Sequence, residues 1–193
     1  RNMNKVSKLA AGLALATCAM AANSALADVS YNVGWASEYY YRGILQKTSS
    51  ASAGVDFSSG GAYAGVWSAD VGDGLEVDGY FGYGMEFDSG FSASLGFTGY
   101  YYTGEFDDTY EEVNLSLGYS VFTLDYATGT YDNFGGPEQD YDFGSITLEK
   151  DGFYAKYGVF GQDFQGDYFE FGYGTTISDI DIGIAAIFND DNL

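Results

Sequence analysis

The chain has 193 residues, with 28 acidic residues against seven basic ones, no histidine and one cysteine. A formal net charge of −21 leaves no basic face for nucleic acid or anionic lipid, and the missing imidazole excludes Ser-His hydrolase sites and histidine metal centres. Aromatic residues make up 19%, beside 28 glycines and one proline, which is the composition of strands joined by flexible turns.

The first segment stands apart from the rest. RNMNKVSK carries Arg1, Lys5 and Lys8 without an acid, LAAGLALATCAMAA follows as an apolar run, and SALA precedes Asp28. A basic start, a short apolar core and an A-x-A exit ending at Ala27 predict a secretory signal peptide over 1–27. A membrane anchor would need a longer apolar run. Cys18 lies inside this leader, where the threonine before it argues against a lipoprotein cleavage site. Cleavage after Ala27 leaves no cysteine, and four of the seven cations against 28 anions. The mature chain is therefore expected to attract cations.

After Ala27 no window approaches the roughly 18 consecutive apolar residues of a spanning helix. Alternating segments follow instead, each about ten residues long, the length at which a tilted strand crosses a bilayer. Eleven strands are predicted: 29–41, 50–58, 62–70, 75–87, 91–102, 110–119, 121–130, 140–149, 153–161, 167–177 and 179–188. In 110–119, Val113, Leu115, Leu117 and Tyr119 share one face, and Glu112, Asn114, Ser116 and Gly118 share the other. Segments 75–87, 167–177 and 179–188 show the same two-faced pattern.

Connections after even-numbered segments are tight: SSGG, DSG, Tyr119–Ser120, KDG and Ile177–Ser178. Those after odd-numbered segments are longer and acidic: RGILQKTSS, DVGDG, TGEFDDT, YDNFGGPEQD and QDFQGD. Alternation of short turns and long loops predicts an all-β fold, a transmembrane up-and-down antiparallel β-barrel spanning 28–193. Eleven strands do not close a bacterial single-chain barrel of even strand number, so twelve are expected in the complete protein, with a final strand beyond FNDDNL.

Orientation follows from the pattern. Apolar faces look out at lipid, polar faces look in, and glycines on the inner face relieve crowding and lie under tyrosines of neighbouring strands. Tyr31, Tyr39, Tyr63, Phe91, Tyr119, Phe122, Phe153 and Phe188 are expected in the interfacial aromatic girdles. The same phase sends Glu38, Asp56, Glu76, Asp78, Glu112, Asp125, Glu149, Glu170 and Asp181 inward, with Arg42 and Lys156 as the cations beside them. Arg42 is in phase with Glu38, and the two are expected to form a lumenal ion pair or constriction contact. An interior this acidic favours cations. Small barrels can also be filled by their own side chains, which would close the path. No catalytic, cofactor or metal site is predicted, and the acidic runs 105–112 and 132–142 read as solvated loops.

YNVGWASEYYYRGILQ (31–46), SASAGVDFSSGGAYAGVWSADV (50–71) and LEVDGYFGY (75–83) together resemble the TorF family of small proteobacterial outer-membrane porin-like proteins of unknown function. The resemblance rests on Asn32, Gly34, Ser37, Tyr39, Arg42 and Gly43, on Tyr63 to Trp67, and on Glu76, Asp78, Tyr80, Gly82 and Tyr83. It implies an outer-membrane location and diffusion of solutes, and supplies no substrate or catalytic residue. The expected function is passive passage of small cationic or neutral solutes, with the outer-membrane bilayer and those solutes as partners. A non-conducting structural or adhesive barrel with acidic loops is the alternative.

Overall fold

The computed structural model describes residues 28–190 and residue 193; the predicted leader over 1–27 lies outside the described residues. Its strands are β1 (Asp28–Tyr41), β2 (Ile44–Ser59), β3 (Ala62–Gly72), β4 (Gly74–Glu86), β5 (Phe91–Tyr102), β6 (Tyr110–Tyr119), β7 (Phe122–Tyr131), β8 (Gln139–Lys150), β9 (Phe153–Gln162), β10 (Asp167–Ile177) and β11 (Ile180–Asn189). They form one antiparallel, up-and-down, 11-stranded sheet in chain order. Ten of the predicted segments coincide with these strands to within two residues at each end.

The sheet has two environments, as its period-two pattern demands. Outward positions are apolar and uncovered, among them Phe81 at 60%, Leu95 at 58% and Ile184 at 74% exposure. Inward positions alternate with them and carry the buried Glu76, Asp78, Thr98, Glu112, Asn114 and Glu170. Burial is therefore inverted relative to a protein dissolved in water, whose strand acids face solvent and whose leucines pack inside.

Tight turns stand at one end of the sheet. Gly60–Gly61, Asp151–Gly152 and Ser178–Asp179 each have both residues at positive φ, the geometry whose twist matches a two-residue hairpin. At the opposite end the connections 103–109, 132–138 and 163–166 are longer, as expected. Two connections at that end are not. Asp73 alone joins β3 to β4, and Arg42–Gly43 alone joins β1 to β2. The expected loop RGILQKTSS is thus mostly strand, because Arg42 (φ 47) and Gly43 (φ 85) make a turn that pairs Tyr41 with Ile44.

This first hairpin is longer than the sheet it belongs to. The ladder between β2 and β3 covers Ser52–Ser59 of β2, so Ile44–Ala51 pair with β1 alone. A register shift between Tyr39 and Tyr40 marks where β1 is irregular. Bulges bend a strand and increase its local twist, and here the tip turns inward across the concave face. Tyr39, expected at the lipid interface, is consequently buried against Ala69 and Val71 with Trp67 beside it. Ile44 packs on the cluster of Ala127, Phe143, Phe160 and Tyr168, beside Ile187. Asn189 Nδ2 donates to the Gly43 carbonyl at 3.1 Å, joining β11 to the tip across 146 residues. The sheet therefore curls far enough for its last strand to touch its first hairpin.

Inner-face glycines have the expected aromatic covers. Tyr63, also expected in a girdle, points inward, with its hydroxyl where a Cβ on Gly82 or Gly96 would fall. Its odd-numbered phase puts it with Trp67 and Ala69, and only a residue without a side chain opposite leaves room for the ring. The ring of Tyr154 covers Gly172 in the same way.

Candidate functional site: an acidic inner face crossed by a hairpin

The concave face carries its chemistry on alternate residues of adjacent strands. β4 contributes Glu76 and Asp78, β5 contributes Thr98, Tyr100 and Tyr102, β6 contributes Glu112 and Asn114, and β8 contributes Tyr141 and Phe143. Antiparallel register sets Asp78 opposite Tyr100, and Thr98 opposite Glu112.

Glu112 is the hub. Arg42 of the hairpin turn clasps it with both ends of its guanidinium, Nη1 to Oε2 at 2.9 Å and Nη2 to Oε1 at 2.7 Å. Tyr100 donates to Oε1 at 2.7 Å, Tyr141 to Oε2 at 2.8 Å, and Asn114 Nδ2 to Oε1 at 2.6 Å. Thr98 in turn donates to Asn114 Oδ1 at 2.9 Å, which fixes the orientation of the amide. The guanidinium carbon lies 4.4 Å from the Phe143 ring centre and 4.9 Å from that of Tyr41. Forked charge-assisted hydrogen bonds with aromatic faces beside them make a site shaped for a planar guanidinium and poorly suited to an ammonium. Arg42 also adopts positive φ, a conformation uncommon for a residue with a side chain, and the bidentate pair offsets that cost.

A second contact holds the hairpin from its other strand face. Tyr39 donates to Glu76 Oε1 at 2.5 Å, and Tyr102 reaches Glu76 Oε2 at 3.2 Å. Lys47 pairs with Asp70 near the entrance. Asp78 lies in the same acidic group and differs from its neighbours. It is 1% exposed, and neither carboxyl oxygen has a hydrogen-bond partner among the described residues.

The other predicted interior residues are spread along the sheet. Asp56 accepts from Tyr80 at 2.5 Å and from Asn32 at 3.3 Å. Asp125 accepts from Ser116 at 2.7 Å and Ser145 at 3.3 Å. Glu170 accepts from Tyr154 at 2.5 Å and sits opposite Lys156 in register. Asp181 accepts from Thr176 at 2.6 Å, and Glu149 sits near the turn end of β8. Glu38 is exposed on the hairpin, so the expected Arg42–Glu38 pair does not form. The turn instead carries Arg42 across the interior to Glu112, 70 residues away. Tyrosines were the main omission from the expected site. Tyr100 and Tyr141 share the phase of the acids and supply the hydroxyl donors that a buried carboxylate needs. Among the described residues no group of three or more acidic or cysteine side chains is placed to hold a metal ion.

A family model for bacterial proteins of unknown function, Gcw_chp, matches residues 20–190. The chain belongs to the Gcw_chp family. The match spans all eleven strands, so hairpin and acidic interior both fall within the Gcw_chp region. No curated protein and no solved structure matches the chain.

In this Gcw_chp protein Asp78 is a buried carboxyl group with no hydrogen-bond partner among the described residues, and such a group costs folding free energy. Asp78→Asn is expected to raise the thermal unfolding midpoint of the detergent-folded protein, with a gain on the order of 1–3 kcal/mol. Gel mobility with and without heating reads the transition; a lowered midpoint would mean that Asp78 is satisfied in the folded protein.

Proposed function

We propose that the chain is an outer-membrane β-barrel of the TorF type, exported by its leader, that lets small cationic or neutral solutes diffuse through an acidic interior. One observation carries this reading: every part of the sheet presents apolar side chains outward and uncovered, with carboxylates gathered on the inner face. In a bilayer that outward surface is solvated by acyl chains, whereas in water it would be an aggregation surface. Carboxylates in a low-dielectric passage exclude anions and admit cations. The β1–β2 hairpin forms the constriction, narrowing the route at the long-loop end.

The fit of that hairpin supports a second reading, a structural barrel that carries no current. Tyr39, Arg42 and Ile44 fill the space in front of β4, β6, β8 and β10 with buried contacts. Planar-bilayer recordings of heat-modifiable full-length protein across a potassium chloride gradient separate the two. A reversal potential of the cation-selective sign is expected. Anion selectivity overturns the acidic-passage reading, and silence from folded protein replaces it with the structural barrel.

A further inference from the structure

We propose that the Glu112 pocket is a binding site for guanidinium-bearing solutes, and that Arg42 is its built-in occupant. The proposal deepens the reading of the interior as a solute path by naming a solute class; its test reads binding, so it does not depend on current.

The pocket has the parts such a ligand needs independently of the hairpin. Both Glu112 oxygens are aligned by Tyr100, Tyr141 and Asn114, none of which belongs to the hairpin. Phe143 on β8 supplies an aromatic face at 4.4 Å from the guanidinium carbon. A few strands away on the same face, Asp78 is 1% exposed and has no hydrogen-bond partner for either oxygen. Without Arg42 this region holds the carboxyl groups of Glu76, Asp78 and Glu112 on one buried face, and a ligand cation pairs with Glu112 as Arg42 does now.

The occupant is also removable. Residues 44–51 of β2 pair only with β1, so the tip can leave the interior without breaking any ladder bond of the remaining sheet. What it loses is the Arg42 clasp, the Tyr39–Glu76 bond, the Ile44 contacts, the bond from Asn189, and the Lys47 pair and Ser50 bond to Asp70 of β3. A free guanidinium competes for the first of these directly, and an ammonium, lacking the planar fork, competes poorly.

The test uses full-length protein folded in detergent. Arg42→Ala is expected to lower the unfolding midpoint, and millimolar methylguanidinium is expected to restore it by about 3 °C or more, a resolvable shift for a domain of this size. Methylammonium at the same concentration should restore little, and the double variant Arg42→Ala with Glu112→Gln should not respond to either. Equal rescue by both cations, rescue in the double variant, or no rescue at all overturns the proposal. Should Arg42→Ala fail to fold, the unaltered protein still reports, because Trp67 packs against Tyr39 of the hairpin at 5.8 Å. Its fluorescence should change saturably with methylguanidinium and not with methylammonium; an unresponsive or unselective signal overturns the assignment. Binding without channel activity would sink the diffusion reading alone, and channel activity without binding would sink this one alone.

Discussion

Replacing Glu112 with glutamine is expected to destabilise the folded protein by about 3–5 kcal/mol, the cost of leaving one member of a buried ion pair uncompensated. Arg42 then keeps its positive charge among Tyr41, Phe143 and two tyrosine hydroxyls, with no anion to accept its fork. The matching prediction concerns both partners together. Arg42→Met with Glu112→Gln should recover part of the loss, because no unpaired charge is then left buried and the glutamine amide oxygen still accepts from a tyrosine hydroxyl. Urea unfolding of the micelle-bound protein, followed by tryptophan fluorescence, measures both. A single-variant loss below about 1 kcal/mol would match an exposed surface pair and would mean that the hairpin is not seated in the interior.

Leu95→Arg provides the second large effect and addresses the surroundings of the sheet. Leu95 lies within β5, 58% exposed, between Tyr83 and Leu115 on the outward face. On the surface of a water-soluble protein, an exposed leucine replaced by arginine changes stability by about 0.5 kcal/mol or less. On a lipid-facing strand near the bilayer centre, the same change costs about 2–4 kcal/mol. Folding equilibria in phospholipid vesicles distinguish these values directly. A neutral result would remove the bilayer from the account of this protein, since the two environments predict different magnitudes for one substitution.

How much of this was legible in the sequence depends on what each segment faces. Where one side of a strand is apolar and uncovered and the other meets polar groups, as in 110–119, alternation is written residue by residue, and the strands follow from it closely. The stretch ILQKTSS gave no such signal. Ile44 meets an aromatic cluster, Lys47 an aspartate near the entrance and Ser50 the Asp70 carbonyl, so neither face of the segment has a uniform environment and no period emerges. Composition made it look like a loop. The positive-φ turn at Arg42–Gly43 belongs to a kind that glycine announces, but its arginine disguised it.

The acidic interior was legible for the same reason as the strands, because phase alone sends Glu76, Asp78 and Glu112 to one face. The partner of Arg42 was not. Phase says which side of a sheet a residue takes, and says nothing about which distant strand stands across the concavity. Tyr39 shows the limit most clearly, since its odd-numbered phase in β1 groups it with Tyr31, Val33 and Trp35, all exposed, whereas Tyr39 is buried against Ala69 and Val71.

The hairpin tip also sets an order of events for the growing molecule. Arg42 emerges early in the chain, yet its anion is supplied 70 residues later and the bond to Gly43 comes from a side chain 146 residues further on. Contacts at such separations carry the entropy of closing long loops. The seat for the tip does not exist until β6, β8 and β10 have come round, so the earliest hairpin of the sheet is the one whose final docking waits for nearly all the other strands.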